Sequence, residues 1–285
     1  MRQLSVGLTP RLCPAIRHSM KFRLATWNIN SVRLRLGLVE RFVKAFKPDV
    51  LCLQEIKCVE EAFPYEPLRA LGFPHIQVNG QAGYHGVATL SRLPIEARGA
   101  EKIGGNPDAR HVAIAIGGRV VIHNVYIPAG GDIPNAEVNP KFGQKLAFLQ
   151  ALADWFDGRD FGPEGQILTG DFNVAPLEND VWSHKQLLKV VSHTPIEVEH
   201  LARLRASSDW ADVIRNHVPA DQKLFTWWSY RAQDWEASNR GRRLDHIWTT
   251  PDLAGAAKAI TVVSEARGWD QPSDHVPVIA DFDLT

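Results

Sequence analysis

The sequence predicts an α/β fold with two packed β-sheets and helices on the outside. Two observations lead to this prediction: short apolar runs typical of strands recur along the 285 residues, and segments with helical spacing of apolar residues lie between several of them. Strand-rich blocks that adjoin helices are typical of this class. The loops between the segments are too short to link separate domains. We therefore expect a single domain over residues 20–285.

Seven apolar runs are predicted as strands because their residues alternate or are continuously apolar. In chain order they are FRLATW, DVLCLQ, HVAIAI, RVVIHNVYI, GQILTG, LDHIW and HVPVIADF. Two segments, RLRLGLVERFVKAF and KFGQKLAFLQALADWF, are predicted as helices. The apolar residues of the second helix that recur at helical spacing are Phe142, Leu146, Leu149, Leu152 and Phe156. Turn residues mark the loops GGNPDAR, PAGGDIP and DGRDFGPEG.

The charge balance and the cysteines limit the class of protein. Lys plus Arg and Asp plus Glu both number 32, so any site for a polyanion must come from charges segregated on the surface. The three cysteines, Cys13, Cys52 and Cys58, are an odd number without metal-ligand spacing. We therefore expect free thiols and a reducing, cytoplasmic location, associated with the nucleoid if the source is bacterial.

Residues 1–19 are predicted to be a flexible extension of the domain. They carry three arginines and a histidine but no acid, and they lack an apolar run long enough for a secretion signal or a membrane helix. We therefore expect no secretion and no membrane association.

Polar residues follow or begin most of the predicted strands. They are Asn28, Glu55, Tyr126, Asp171, Asn173, Asp245, Asp274 and His275. In α/β sheets, side chains that leave neighbouring strand ends converge on a rigid frame. The sequence therefore predicts a functional site at these strand ends.

The types of side chain indicate the chemistry of that site. Carboxylate and amide oxygens without a thiolate suit Mg²⁺, or alternatively Mn²⁺, better than zinc or iron. Magnesium needs only one or two carboxylates, which leaves the other groups to activate water and to stabilise a developing oxyanion. This combination is typical of metal-assisted phosphodiester hydrolysis.

Seven segments of the chain resemble, in order, the signature segments of a known family. They are WNINS, LQEIK, GYHGVATLSR, NVYIPAGG, GDFNVAP, GRRLDHIW and SDHVPV. They are similar to those of the exonuclease III family of abasic-site (AP) endonucleases, within the endonuclease/exonuclease/phosphatase superfamily. The resemblance runs from about Lys21 to the C-terminus. It implies a four-layered α/β sandwich, a divalent metal, and base-excision repair of duplex DNA by 3′-5′ exonuclease and AP endonuclease activities of a monomer.

The resemblance also implies roles for individual residues. Glu55 is the principal metal carboxylate and Asn28 lies beside it, while Asp274 reaches the metal region. Asp171 orients or deprotonates the attacking water, Asn173 holds that water or the phosphate, and Tyr126 donates to the phosphate. Asp171, Asn173 and His275 also border the metal.

His275 is expected to bind a phosphoryl oxygen in its charged form. Its neighbour Asp274 points to the opposite face of an extended chain, so the imidazole needs another carboxylate. By the resemblance this partner is Asp245, which fixes the tautomer and raises the pKa of His275. The alternative, in which His275 is the general base, stays open.

The segment LFTWWSYRAQDWEASNRGRRLDHIW is predicted to contact DNA, because it interleaves aromatic residues with arginines. The plain alternative is a set of core aromatics beside a solvated loop. By the resemblance, Trp227 and Leu244 wall the abasic pocket, and Tyr230 and Arg242 lie on the DNA-binding side. Arg242 replaces the aromatic residue usual there, and we expect abasic-site binding to be weakened.

Two other departures from the family pattern lie on the DNA-facing loops. Ala129 stands where an amide side chain is usual, and Asp132 where a basic residue is common. Two rival functions remain, a phosphomonoesterase of the same superfamily with a non-DNA substrate, and an inactive DNA-binding module. The complete set of polar residues argues against the second.

Overall fold

A computed structural model describes residues 19–232 and 234–285. The predicted extension, apart from Ser19, lies outside the described residues, as does Cys13. The strands are β1 (Met20–Asn28), β2 (Val50–Gln54), β3 (His75–Asn79), β4 (Val87–Ser91), β5 (Ile95–Gly99), β6 (His111–Ile116), β7 (Val120–Tyr126), β8 (Gly165–Asp171), β9 (Ala211–Asp212), β10 (Trp227–Trp228), β11 (Gly241–Arg242), β12 (Asp245–Thr249), β13 (Ala257–Val262) and β14 (Val278–Leu284). The helices are α1 (Leu36–Phe46), α2 (Tyr65–Ala70), α3 (Pro140–Phe156), α4 (His184–Leu187), α5 (Pro195–Ala206), α6 (Val213–His217) and α7 (Trp235–Ser238).

The long strands form two mixed sheets of six strands each. The first sheet has the order β13-β14-β1-β2-β4-β3 and the second the order β5-β6-β7-β8-β12-β9. Among the strands of the described residues in these two sheets, β1 pairs with β2 and β7 with β8 in parallel, and the other pairs are antiparallel. In each sheet the parallel pair brings two carboxyl ends to the same edge.

The alternation of side chains along the strands produces four layers. In β1, Leu24 faces the second sheet and belongs to the apolar layer between the sheets, whereas Trp27 faces the opposite way and packs with Phe42 of α1. On the outer face of the second sheet, Leu152 of α3 packs in one cluster with Leu168 of β8. The order helix, sheet, sheet, helix confirms the predicted four-layered α/β sandwich.

A pair of amide side chains crosses the space between the sheets beneath the site. Asn124 donates through Nδ2 to the carbonyls of Leu53 and Ala88, at 3.2 and 3.0 Å, and Gln54 donates to Asn124 Oδ1 at 2.7 Å. Both amides are fully buried. Because a buried amide is costly without partners, these bonds favour one alignment of the two sheets over others.

The predicted elements agree with the structure except in two places. The seven predicted strands and both helices are present, and Cys52 and Cys58 carry free thiols. The last strand begins at Val278 rather than at His275, since Pro277 has no N–H to donate to a ladder. In α3 the buried position is taken by Lys145, whereas the predicted Leu146 is only partly buried.

No helix in the described parts of the chain is both long and apolar enough to cross a membrane.

A buried chain of two histidines links β6, β7 and β8. The Glu101 N–H donates to His111 Nδ1, so His111 Nε2 donates to His123 Nδ1 at 3.1 Å. His123 Nε2 in turn donates to Gln166 Oε1 at 3.0 Å. Burial lowers the pKa of His111 well below its usual value and that of His123 to about 4. Both rings are therefore neutral in the folded protein at neutral pH.

The histidine chain predicts a loss of stability in mild acid. A histidine whose pKa is lower in the folded than in the unfolded protein is protonated more easily after unfolding. Its contribution to the free energy of unfolding is therefore complete above the unfolded pKa and decreases as the pH drops below that value. Between pH 6.5 and 5.5 the native protein should lose about 1 kcal/mol more unfolding free energy than His123→Gln, whose amide can keep both hydrogen bonds. Urea unfolding of both proteins measures this difference. Parallel pH dependences would contradict it.

Candidate active site

The predicted polar residues meet at one edge of the sandwich, around a single cleft of about 960 Å³. The residues that line it include Glu55, Tyr126, Asn173, Asp274 and His275, together with Trp227, Arg242 and Leu244. Asn28, Asp171 and Asp245 are buried beside it. The carboxyl ends of β1, β2, β7 and β8 supply several of these residues, because parallel neighbours end at the same edge.

Glu55 follows β2, and three side chains direct N–H or O–H groups toward its carboxylate. Its Oε1 accepts from Asn28 Nδ2 and from Tyr126 Oη, each at 2.9 Å, and its Oε2 lies 2.9 Å from Lys57 Nζ. Burial alone would raise the pKa of Glu55, but the charge of Lys57 and the hydrogen bonds from Asn28 and Lys57 outweigh burial and lower the pKa. Glu55 is therefore ionised at neutral pH.

Asp171 ends β8 at the centre of the site and is 1% exposed. Its Oδ2 accepts from Asn28 Nδ2 at 2.9 Å and from Asn173 Nδ2 at 3.1 Å. Burial raises the pKa of Asp171 to about 7, with help from the charges of Asp245 and Glu55, although His275 and Asn28 act against it. This carboxyl group can therefore gain or lose a proton near neutral pH.

His275 lies between two carboxylates. Its Nδ1 donates to Asp245 Oδ2 at 2.9 Å, and its Nε2 lies 3.6 Å from Asp171 Oδ2. Burial alone would lower the pKa of His275, but the two carboxylates raise it to about 10. The imidazole is therefore charged at neutral pH. Thr226 holds Asp245 in place by donating to the same Oδ2 at 2.6 Å.

Asp274 contacts a different set of groups from its neighbour His275. Its Oδ2 accepts from Trp227 Nε1 at 3.0 Å and its Oδ1 from Asn30 Nδ2 at 3.2 Å. Asn30 Oδ1 accepts in turn from Lys57 Nζ at 2.6 Å. Asp274 is thus connected to Glu55 through Asn30 and Lys57, and it fixes the indole of Trp227.

The aromatic and basic residues divide between the cleft and its surroundings. Leu244 is 4% exposed and packs with Trp227 in one apolar cluster, and the Arg242 guanidinium lies over the Trp227 ring at 5.0 Å. Tyr230 lies outside the lining of the cleft, where its hydroxyl donates to the Pro272 carbonyl at 2.8 Å. Asp132 is exposed on a loop at the cleft margin.

Two lysines of the site were not predicted. Lys57 is two residues after Glu55 in the LQEIK segment, and both residues have positive φ angles, 53° and 50°, which turn the chain sharply. Lys145 is fully buried against Glu197 and donates to the Asn173 carbonyl at 2.7 Å. Its position three residues after Phe142, on the apolar face of α3, was a signal in the sequence.

The residues at the strand ends suit a hard divalent cation. Glu55, Asp171, Asp245 and Asp274 supply four carboxylates, of which Glu55 contacts the cation Lys57, and Asp171 and Asp245 contact the charged His275. The side chains of Glu55, Asp171 and Asn28, which are hydrogen-bonded to one another, offer a cation oxygen ligands and no sulfur. A closer group, Asp171, Asp245 and His275, offers ligand atoms within 4.8 Å of one another. His275 Nδ1 is already bonded to Asp245 there, so the more open Glu55 side fits a metal better.

The chain is similar to nucleases and phosphatases that act on DNA. It is 30% identical to exodeoxyribonuclease III of Haemophilus influenzae, over 92% of this chain and 100% of that protein. An AP endonuclease from Archaeoglobus fulgidus superposes with a TM-score of 0.84 at 29% identity. A 3′ phosphatase from Neisseria, bound to a product DNA hairpin, superposes with a TM-score of 0.83 at 30% identity. Both superpositions cover 92% of this chain and 100% of the other.

Residues 25–275, from β1 to His275, match the Endonuclease/Exonuclease/phosphatase family. The match includes every polar residue described at the strand ends. With the similarity to exodeoxyribonuclease III over almost the whole chain, the protein belongs to this family and, within it, to the exonuclease III group.

Proposed function

We propose that the protein is a metal-dependent DNA phosphodiesterase of base-excision repair, with 3′-5′ exonuclease and AP endonuclease activity. One observation carries the proposal: an ionised Glu55 and the charged imidazole of His275 line one cleft, and the Asp171 carboxyl group, which titrates near neutral pH, is buried directly beside it. The Trp227 and Leu244 wall lies in the same cleft. We further propose that the enzyme acts as a monomer with one catalytic domain over residues 20–285.

The metal in this proposal is Mg²⁺, or alternatively Mn²⁺. Glu55 would hold it as the principal ligand, with Asn28 and Asp171 beside it and Asn173, Asp274 and His275 at its margin. When bound, such an ion neutralises phosphate charge and favours the ionised form of a nearby water. Its position next to Glu55 would require Lys57 to move or to share the carboxylate, because Lys57 Nζ occupies one side of it.

The protein groups divide the chemistry of water attack between them. Asp171, with its pKa near neutrality, accepts a proton from the attacking water, and the side chain of Asn173 helps to position that water. Tyr126 stays protonated, since burial and the charge of Glu55 raise its pKa well above 10, and its hydroxyl would turn from Glu55 Oε1 to donate to a phosphate oxygen when DNA binds. These groups act before and during the attack on phosphorus.

His275 suits a phosphate-stabilising role better than that of general base. Because its pKa is raised, the imidazole already carries a proton at neutral pH and has no free lone pair to accept another. Its Nε2 faces the cleft side of the site near Asp171, where it can donate to a phosphoryl oxygen that gains charge. Asp245 keeps the ring in this orientation.

DNA would be held by the aromatic and basic residues beside the metal region. Trp227 offers an indole face and Leu244 an apolar floor to a sugar at the scissile phosphate. Arg242 lies next to them, and Tyr230 supports the rim through Asn30 and Arg35, at 3.2 and 3.1 Å. Stacking of this kind is worth about 1–3 kcal/mol per base.

A second candidate function is removal of terminal 3′ phosphate groups from DNA. The observation in its favour is the similarity to the Neisseria 3′ phosphatase over 92% of this chain. The same metal carboxylate, Glu55, and the same charged imidazole of His275 would serve a monoester, since both act on the phosphoryl oxygens.

Labelled duplexes test the proposed function directly. One duplex carries an internal abasic site, a second a recessed 3′ hydroxyl and a third a recessed 3′ phosphate. We expect cleavage of the first two with Mg²⁺ and none after EDTA is added. Hydrolysis of the third alone would favour the second candidate, and turnover of a non-DNA phosphomonoester alone would contradict both.

A further inference from the structure

The loop that follows β8 is held by its backbone carbonyls. Three consecutive carbonyls accept hydrogen bonds from buried side chains, and the residues that carry them are Asn173, Val174 and Ala175. Lys145 Nζ donates to the first carbonyl at 2.7 Å, His246 Nε2 to the second at 2.9 Å and His193 Nδ1 to the third at 2.6 Å. The loop is therefore tied to α3, to β12 and to the segment before α5.

Lys145 differs from the two histidines because it brings an ion pair into the interior. Its ammonium group contacts the Glu197 carboxylate and also donates to the Ala129 carbonyl at 3.4 Å, and both side chains of the pair are fully buried. Burial lowers the pKa of Lys145, and the charge of Glu197 acts against this. A buried ion pair is often no more stabilising than an apolar pair of the same volume. The stability of the fold alone therefore does not explain a lysine at this position.

The Glu197 carboxylate is held in place without the help of Lys145. It accepts from the Ser192 N–H at 2.9 Å, from the Thr194 N–H at 3.1 Å and from Thr194 Oγ1 at 2.6 Å. A fixed carboxylate orients the ammonium group that is bonded to it. One N–H of that group is thereby directed at the Asn173 carbonyl.

Asn173 has a backbone conformation that needs support. Its φ of 55° lies in the left-handed region, which is less stable for a residue with a side chain. In this conformation its N–H donates to Asp171 Oδ1 at 2.9 Å, and its Nδ2 donates to Asp171 Oδ2 at 3.1 Å and to the Ile127 carbonyl at 2.9 Å. Rotation of the Asn173 carbonyl would change these backbone angles and move the side-chain amide away from Asp171.

We propose that Lys145 is a positioning residue of the hydrolytic site, which keeps the Asn173 side chain against Asp171 by binding the Asn173 carbonyl. Lys145 is fully buried and is not among the residues that line the cleft, so it acts through Asn173 and does not contact DNA. Misplacement of a group at a reacting centre by about 1 Å can cost roughly 100-fold in rate. The inference rests on the proposed function, in which Asn173 positions the attacking water.

Lys145→Met tests the inference, because it removes the ammonium group and keeps the approximate length of the side chain. We expect the single-turnover rate on the abasic and recessed duplexes, at saturating enzyme and Mg²⁺, to fall roughly 10- to 100-fold, while the dissociation constant for DNA changes less than about threefold. In the Asn173→Ala background the same substitution should cost little more, since the two residues act as a unit. Losses that multiply fully would overturn the proposal.

Two controls separate positioning from stability. Glu197→Gln breaks the ion pair but keeps Lys145 and its bond to the Asn173 carbonyl, so it should keep the wild-type single-turnover rate. Lys141→Met removes an exposed lysine about one turn earlier on α3 and should keep both the rate and the stability. Equal slowing by Glu197→Gln and Lys145→Met would mean that the pair acts only through the stability of the fold, which contradicts the proposal.

The double variant of Lys145→Met with Glu197→Gln keeps the test valid where the single variant does not fold. It leaves no unpaired buried charge, which is the main cost of breaking such a pair. Thermal unfolding measures how much stability returns. The proposal requires this variant to stay as slow as Lys145→Met, because the bond to the Asn173 carbonyl is still missing. Recovery of the rate together with the stability would overturn it.

Hydrogen exchange separates the inference from the proposed function. The backbone amide of Asn173 reports its bond to Asp171 Oδ1 without substrate or metal. In Lys145→Met we expect this amide to exchange roughly tenfold faster than in the wild type, while the ladder amides of β8 keep their protection. Such a change supports the inference even if no duplex is cleaved and the nuclease function fails. Unchanged exchange together with wild-type cleavage by Lys145→Met overturns the inference and leaves the nuclease function standing.

Discussion

Asp171→Asn is expected to lower turnover on abasic and recessed duplexes by roughly 10²- to 10⁴-fold while the protein stays folded. The reason is that the asparagine amide cannot accept the proton of the attacking water, although it has nearly the shape of the carboxylate. Single-turnover rates at saturating enzyme measure the effect on the chemical step. A rate within threefold of the wild type would mean that another group accepts the proton of the attacking water.

The partnership of Asp245 with His275 is tested by the same assay in a double-mutant cycle. If Asp245 acts only by orienting and charging His275, then His275→Gln and the double variant with Asp245→Asn should have about the same rate. Losses that multiply would mean that the two residues act separately. Thermal unfolding of each variant checks that the buried Asp245 site has not collapsed.

Glu55→Gln is the second large effect that we expect. Removal of this carboxylate should move the midpoint of the Mg²⁺ titration of activity upward by at least roughly 10- to 100-fold, the cost usual even for groups that only support a ligand. The physical reason is that Glu55 is an ionised carboxylate at the open side of the site. It already attracts one positive charge there, the ammonium group of Lys57.

The control for Glu55→Gln is Glu96→Gln on the strand β5. The Glu96 side chain is 69% exposed and lies outside the cleft, so its loss should leave the Mg²⁺ midpoint unchanged. Stabilisation of the protein by Mg²⁺ in thermal unfolding provides a readout without substrate. An unchanged Mg²⁺ midpoint in Glu55→Gln would mean that Glu55 is not a metal ligand.

The strands that build the site could be predicted because their periodicity and their polar ends are local features. The residues VLCL of the run DVLCLQ are continuously apolar, and the carboxylate that follows the run, Glu55, has no structural reason of its own. The layers could be anticipated for the same reason. The pairing of Asp245 with His275 followed from the opposite directions of adjacent side chains once a family resemblance had suggested a partner.

What could not be predicted depends on contacts between distant parts of the chain. Nothing around Asn124 or Gln54 in sequence indicates that their amides meet between the sheets. Arg242 donates to Ser192 Oγ at 2.7 Å, and the Ser192 N–H donates to the buried carboxylate of Glu197, so the orientation of Arg242 depends on residues far from it in sequence. Lys57 has the appearance of a surface lysine until the turn at Glu55 directs it into the site.

The pairing of β1 with β14 places opposite ends of the described chain side by side at the site. His275 precedes β14, so it leaves the ribosome after Asn28, Glu55 and Asp171 have been made. Until His275 is made, the Asp245 carboxylate lacks its imidazole partner, and β1 lacks its neighbouring strand β14. A growing chain that still lacks β14 therefore carries the carboxylates without an assembled hydrolytic centre.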